Sequence, residues 1–319
     1  MEWAVFHTTD LLPGYGTDAC SVNKSGTIGA MQSSCILFPP DWTDYELIDS
    51  GDGEKLERFH SYTLIRPDPR ILWHKSNPDL WRHPDARYIR TDEVRGHWNI
   101  GTNPPNPWRL TYKTLTLTLR PTEFKHVGVF PEQAVNWDWL TETIHGRTYS
   151  VLNLFAYTGG NTLAAATSGA HVTHVDSMKQ TVDWANENAK VSGLSNKPIR
   201  WIVDDAYKFV VKEGRRGKTY DGVIMDPPRF GRGSQGEVWK IGEDLPKLFE
   251  AVKKILSPTP KFVLVNAYTA DLSSLVLKYL TEELVGSESG MVEHGDIALK
   301  ESHGGRLLPS GIFARWKSD

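Results

Sequence analysis

The sequence predicts an α/β fold: an open, mostly parallel sheet with helices on both faces, closed by a terminal antiparallel hairpin and preceded by a small β-rich region. Three observations carry this. From about residue 124 onward, short apolar runs alternate with longer amphipathic ones, the pattern of parallel strands joined by right-handed helical crossovers. Carboxylates stand at the ends of successive apolar runs, at Asp176, Asp205 and Asp226, the edge at which open α/β sheets bind ligands. Before residue 124 the apolar runs are short and separated by Pro-Asp-Pro, Asn-Pro-Asp and Asn-Pro-Pro-Asn-Pro, which read as turns.

Residues 1–40 carry scattered Gly, Ser and Thr without periodicity and are expected to form a loosely ordered extension. Residues 41–123 are expected to form the β-rich domain, with strand-like runs at 45–48, 62–65, 71–73, 88–89 and 110–119. In the last of these, Leu115, Leu117 and Leu119 alternate with Thr114, Thr116 and Thr118, as in a half-buried strand. Eight of the twelve tryptophans precede residue 140. They are read as the core of this domain rather than a base-stacking surface, because few Arg or Lys are interleaved with them.

The remaining domain is expected over 124–319. Pro131 suits the first turn of a helix over 132–144, with Trp137, Leu140 and Ile144 on one face. The apolar run 151–155 then ends in Thr158-Gly159-Gly160-Asn161, where Gly159 permits a sharp turn, and small residues follow over 163–167. Strand, glycine turn and helix open a nucleotide-binding unit whose helix N-terminus offers free N–H donors. The strand 171–176 ends in Asp176, seventeen positions beyond Gly159, close to the offset at which such folds place an acid on ribose hydroxyls. Two and four residues before Gly159 stand Tyr157 and Phe155, where a pyrophosphate loop needs glycine. A ligand with a ribose and no phosphates, such as S-adenosylmethionine, fits better. Strands follow at 199–203, 220–225 and 262–266, helices at 178–191, 207–212, 245–255 and 272–284, a polar loop at 231–240, and a closing hairpin at 291–299 and 307–316.

On these residues the chain from about Phe124 onward resembles class I S-adenosylmethionine-dependent methyltransferases, with their Rossmann-like sheet and terminal antiparallel hairpin. More narrowly, it resembles the bacterial group that methylates large-subunit ribosomal RNA. The marks are Asn-Leu-Phe-Ala-Tyr-Thr-Gly-Gly from Asn153 to Gly160, Val175-Asp176, Asp204-Asp205-Ala206 and Asp226-Pro227-Pro228-Arg229-Phe230. The resemblance implies S-adenosyl-L-methionine as cofactor. It implies Asp176 and Ser177 at the ribose, and Asp205 and Ala206 at the adenine, with Asp204 the rival acid. Phe155, Ala156, Tyr157, Thr158, Gly159, Gly160 and Asn161 would wrap the methionine part. The family's Gly-x-Phe-x-acid-Gln segment carries over at Phe130 and Gln133, whereas Ala134 stands where an Arg often follows. Asp226 and the carbonyl of Pro227, with Pro228 behind them, would orient an acceptor nitrogen, and Phe230 would stack on the base. Arg229 and Arg232 would serve the acceptor. Helix capping remains open for Asp205, and strand termination for Asp-Pro-Pro. The family's cytosine-C5 enzymes need a cysteine after the fifth strand, and no cysteine follows position 35.

Composition bounds these readings. The 319 residues are 39% hydrophobic and 24% charged, as expected of a globular chain long enough for two domains. With no apolar run of membrane-spanning length and no basic-then-apolar leader, a soluble, cytoplasmic protein is expected. Cys20 and Cys35 have no metal-binding spacing and are expected as free thiols. His171 and His174 lie three apart on a strand, hence on opposite faces, so no metal is expected. The net charge of −3 and pI near 6.4 give no global basic footprint.

The leading reading is methylation of a nucleobase nitrogen in RNA, with ribosomal RNA as partner and a role in its processing, without a covalent cysteine intermediate. The acidic pI supports a second reading, a small-molecule acceptor with the same cofactor. A third is a non-catalytic RNA-binding protein on the same fold. The missing pyrophosphate glycines oppose an NAD dehydrogenase.

Overall fold

The computed structural model describes residues 34–92, 95–232, 236, 238–268 and 271–319. Of the extension expected over 1–40, residues 1–33 lie outside these, whereas Cys35–Leu37 inside it form β1, an edge strand of the main sheet with Leu37 and Phe38 buried, and not a loose segment. A five-stranded sheet comes next, in sequential order: β2 (Tyr45–Gly51), β3 (Glu54–Phe59), β4 (Tyr62–Pro67), β5 (Ala86–Arg90) and β6 (Gly96–Ile100). The apolar run at 71–73 forms no strand, whereas β3, with the sequence Glu-Lys-Leu-Glu-Arg-Phe, does. Its charges are satisfied inside: Glu57, fully buried, binds Arg66 through two contacts of 2.7 Å, Lys55 at 3.3 Å and the Tyr45 hydroxyl at 2.9 Å. Burial opposes ionisation of Glu57, but the two cations prevail and hold its carboxyl down at about 2.

The run 110–119 is a hairpin and not one strand: β7 (Arg109–Tyr112) pairs with β8 (Leu115–Thr118) across a two-residue turn. Lys113 makes the turn at φ 51 without a glycine to announce it. Alternation survives in β8, where Leu115 and Leu117 are buried. Trp42, Trp81, Trp108, Trp137 and Trp139 are buried too, and Trp42 meets Tyr112 and Trp137 edge-on at 4.7 and 5.9 Å.

A 3₁₀ turn, Pro131–Gln133, leads into α1 (Ala134–Ile144). Strands and helices then alternate: β9 (Ser150–Leu154), α2 (Gly160–Thr167), β10 (His171–Asp176), α3 (Lys179–Val191), β11 (Ile199–Val203), α4 (Ala206–Arg215) and β12 (Gly222–Met225). The segment expected as a polar loop holds a small hairpin, β13 (Phe230–Arg232) with β14 (Val238–Lys240), followed by α5 (Ile241–Lys253), β15 (Phe262–Ala267) and α6 (Ser274–Val285). The chain closes with β16 (Val292–Lys300) and β17 (Leu307–Lys317). No helix among the described residues is long and apolar enough to cross a membrane.

The eight-stranded sheet runs β1-β16-β17-β15-β12-β9-β10-β11. Strands β15, β12, β9, β10 and β11 are mutually parallel, and β17 is antiparallel to both β15 and β16. This is an α/β fold of the expected kind, with a β-rich region ahead of it. Strand order reverses between β9 and β12, so a crevice opens at their C-terminal ends. One apolar cluster lies beneath α4, α5 and α6, another beneath α1 and α2. A third joins Trp42, Phe59 and Leu117 to Trp137, Leu163 and Ala189, so the N-terminal strands and the main sheet share a core.

Asn188 on α3 ties these parts together. Its Oδ1 accepts from the Thr118 N–H at 2.8 Å and its Nδ2 donates to the Thr158 carbonyl at 2.9 Å, with the side chain fully buried. Asn188→Leu keeps the volume and leaves both backbone groups unsatisfied. Urea unfolding should show a loss of roughly 2–4 kcal/mol; a change below about 0.5 kcal/mol would mean that these bonds carry no weight.

Candidate active site

The loop between β9 and α2 is strained. Phe155, Tyr157 and Gly159 adopt φ values of 55, 48 and 93°, so two aromatic residues occupy the left-handed region that L-residues avoid. Such conformations cost roughly 1–3 kcal/mol each and persist where surroundings impose them. Here the Tyr157 N–H donates to Asp176 Oδ2 at 2.9 Å, and the Ala156 N–H to the Val175 carbonyl at 3.0 Å. The Thr158 hydroxyl donates to the Gly128 carbonyl at 2.6 Å. The rings are seated as well, Phe155 on Trp239 at 5.0 Å and Tyr157 on Phe130 at 5.3 Å. Gly160 has a packing reason: a methyl there would sit 2.7 Å from the Trp137 ring.

Asp176 also accepts the Met178 N–H through Oδ1 at 3.0 Å. Burial pushes its carboxyl upward, and backbone donors from Met178, Tyr157 and Ser177 oppose this. With three backbone donors on its two oxygens, the carboxylate keeps about one acceptor site for a ligand hydroxyl.

Across the crevice, Asp226 follows β12. Its Oδ2 accepts from Gln133 Nε2 at 3.3 Å, while Oδ1 is shut away from solvent with no partner. Burial first, and then the neighbouring Glu132 carboxylate, push Asp226 up to about 7. The same Gln133 Nε2 donates to the Tyr268 hydroxyl at 2.7 Å, and Gln133 Oε1 accepts from Asn136 at 2.8 Å, which fixes the direction of the amide. Asn136 reaches on to Asn266 Oδ1 at 3.1 Å.

One cleft of about 390 Å³, mouth included, brings together Phe130, Gln133, Phe155 to Asn161 and Asp226; Asp176, Asn136 and Tyr268 stand behind this lining. Asn161 Oδ1 is a second buried atom there without a partner. The other expected residues lie beyond this lining. Asp205 is the N-cap of α4, its Oδ1 accepting from the Lys208 N–H at 2.8 Å, and Ala206 starts the helix, buried. Asp204 pairs with Lys212 at 2.6 Å. Pro227 is buried; the Pro228 carbonyl accepts from Trp239 Nε1 at 2.7 Å. Phe230 is half exposed, Arg229 pairs with Asp271 at 2.6 Å on the surface, and Arg232 ends β13. Sequence reasoning missed Tyr268, Asn136 and Glu132. Tyr268 directly follows β15, where only a cysteine had been sought.

The raised carboxyl of Asp226 predicts a pH-dependent stability. Between about pH 4, its unfolded range, and pH 7, the folded protein keeps a proton that the unfolded chain has released. That stabilisation is fully present below pH 4 and is lost as pH rises through 7. Relative to Asp226→Asn, which does not titrate, the wild type should lose about 1.4 kcal/mol per pH unit across this window. Urea unfolding of both proteins at pH 5 and 7.5 should shift their difference by roughly 2–3 kcal/mol in favour of the variant. An invariant difference would mean that Asp226 titrates normally.

A sequence model of the S-adenosylmethionine-dependent methyltransferase family matches residues 81–278, beginning inside the β-rich region. Ribosomal RNA large subunit methyltransferase K/L of Shewanella loihica is 30% identical over 192 residues, 57% of this chain and 26% of that protein. Ribosomal RNA large subunit methyltransferase K of Neisseria meningitidis is 28% identical over 163 residues, 50% of this chain and 44% of that protein. The chain thus spans less than half the length of these curated relatives. The crystal structure of the SAM-dependent methyltransferase from Agrobacterium tumefaciens matches with a TM-score of 0.86 at 38% identity, over 93% of this chain and 97% of that one. SMU.776, solved in complex with SAH, shares the fold at a TM-score of 0.67 and 20% identity, over 86% of this chain and 76% of that one. With more than half of its length inside the family match and a nearly full-length structural counterpart, the chain belongs to the S-adenosylmethionine-dependent methyltransferase family.

Proposed function

We propose that this methyltransferase modifies a nucleobase nitrogen in RNA, ribosomal RNA of the large subunit being the favoured acceptor, and acts in the cytoplasm. The observation that carries the reading is Asp226: a carboxyl at the switch-point crevice, one oxygen held by Gln133 and the other buried and free. The names of the curated relatives support the ribosomal acceptor.

The cleft fits the cofactor by its donor set. Asp176 keeps acceptor capacity for a ribose hydroxyl, with Ser177 beside it, and Asn161 Oδ1 waits without a partner. Phe130, Gln133 and the loop Phe155-Ala156-Tyr157-Thr158-Gly159-Gly160 are assigned to the methionine part, Asp205 and Ala206 to the adenine. Bound S-adenosylmethionine supplies a methyl group on a sulfonium, which is already a good leaving group. The residues therefore need to position a nitrogen more than to deprotonate it. Asp226 Oδ1 would accept a hydrogen bond from that nitrogen and stabilise the positive charge that develops on it. Pro227 and Pro228 hold the carboxyl in place, and Phe230 offers a face for the base. Arg229 would exchange Asp271 for a phosphate; an exposed ion pair of this kind costs little to break. Arg232 is assigned to the same strand of acceptor.

A thiol route is disfavoured on position. Cys35 lies on β1 with its Sγ 3.6 Å from Glu293, and β16, β17 and β15 separate β1 from β12, where Asp226 sits. Cys20 lies outside the described residues.

Asp226→Ala should lower kcat on RNA on the order of 10²-fold while S-adenosylhomocysteine affinity stays nearly constant. For the wild type, kcat should fall as pH drops through about 7, where Asp226 takes up a proton that blocks its acceptor role. Glu132, Gln133 and Tyr268 are the groups facing it. Full activity in the alanine variant, or a flat profile from pH 5.5 to 8, would remove Asp226 from the reaction.

A further inference from the structure

Tyr268 has a role that its position after β15 does not announce. Its hydroxyl accepts from Gln133 Nε2, leaving its own proton to donate, and no acceptor for that proton lies among the described residues. Asp226 Oδ1 is the opposite, an acceptor without a donor. A single amide nitrogen, Gln133 Nε2, holds both groups, 2.7 Å from the phenol oxygen and 3.3 Å from Asp226 Oδ2. A free donor and a free acceptor are thus held by one amide: Gln133 and Asp226 line the cleft, and Tyr268 stands next to it against Gln133 and Phe130.

We infer that Tyr268 and Asp226 together read the acceptor: Tyr268 donates to a carbonyl oxygen or ring nitrogen, while Asp226 Oδ1 accepts from the N–H beside it. The inference rests on the proposed nitrogen chemistry at Asp226 and adds the substrate class. The cleft then takes an amide or amidine edge, as a nucleobase presents, and discriminates against an aliphatic amine, which offers no adjacent acceptor. The ring of Tyr268 packs against Phe130 at 5.4 Å, and Gly311 on β17 leaves room for it, since a methyl there would approach the ring to 3.4 Å. Among charged neighbours, Asp226 and Glu132 keep the phenol protonated together with burial, and Arg70 opposes them weakly. Arg70 comes from the N-terminal region, donating to the Ser310 carbonyl at 2.7 Å.

Tyr268→Phe keeps the ring and deletes the donor. With ribosomal RNA from cells lacking the protein as acceptor, kcat should fall about 10- to 100-fold. S-adenosylhomocysteine affinity should stay within about twofold, and the acid limb of the pH profile should not move, since Gln133 still holds Asp226. Unchanged kcat in Tyr268→Phe beside an inactive Asp226→Ala, which removes the acceptor, would overturn the pairing and leave the nitrogen chemistry standing. Loss of cofactor affinity, or a displaced acid limb, would show that Tyr268 merely supports its neighbours and would equally overturn it. If both variants stay active, the nitrogen reading itself fails, and this inference with it.

Discussion

A carboxylate at the end of β10 holds a backbone that its own residues resist. Phe155 and Tyr157 both turn through the left-handed region, and Asp176 binds the Tyr157 N–H with one oxygen and the Met178 N–H with the other. Without that anchor, two partly buried aromatic residues would relax toward ordinary φ values and carry the start of α2 with them. The bond thus links sequence to site. It fixes where Gly159 and Asn161 stand, and it does so with an acid that keeps acceptor capacity for a ligand. Because β9 and β12 part at this point, whatever the loop holds must face Asp226.

The opposite wall depends on amides. Asn266, Asn136 and Gln133 form a relay of side chains ending at Asp226 and Tyr268. A buried polar network costs least when every member is satisfied; here Asn136 Oδ1 and Asn266 Nδ2 also lack partners, and Asp226 Oδ1 is the unpartnered atom of a residue that lines the cleft. The N-terminal region sustains this wall. Burial pushes Glu132 upward and the charge of the fully buried Glu57 adds to this, while the charge of Glu132 raises Asp226 in turn. A strand that reads as polar in sequence therefore contributes to the electrostatics around Asp226.

Much of this was legible in the residues. The alternation of strands and helices, the glycine turn and the recurring strand-end acids specify the sheet, because each is a local pattern with a local cause. The site was legible where an acid or a glycine marks it. It was less so where function depends on contacts distant in sequence. Nothing near Tyr268 shows that Gln133, 135 residues earlier, will hold its hydroxyl. β3 escaped notice because its charges are paired only after folding, and the β7–β8 hairpin because Lys113 turns where glycine is usual. Asp205 shows the converse: the capping alternative describes its side chain in the folded chain.

In the proposed reaction, the Asp226 carboxyl and the strained aromatic loop between β9 and α2 face each other to deliver a methyl group to a nitrogen on a base. The most direct measurement is transfer of a tritiated methyl group to total RNA from cells lacking the protein, followed by digestion and identification of the labelled nucleoside. Label on an exocyclic or ring nitrogen of a single ribosomal RNA nucleoside is the predicted result. Label on a ring carbon, or in small molecules and none in RNA, would contradict it.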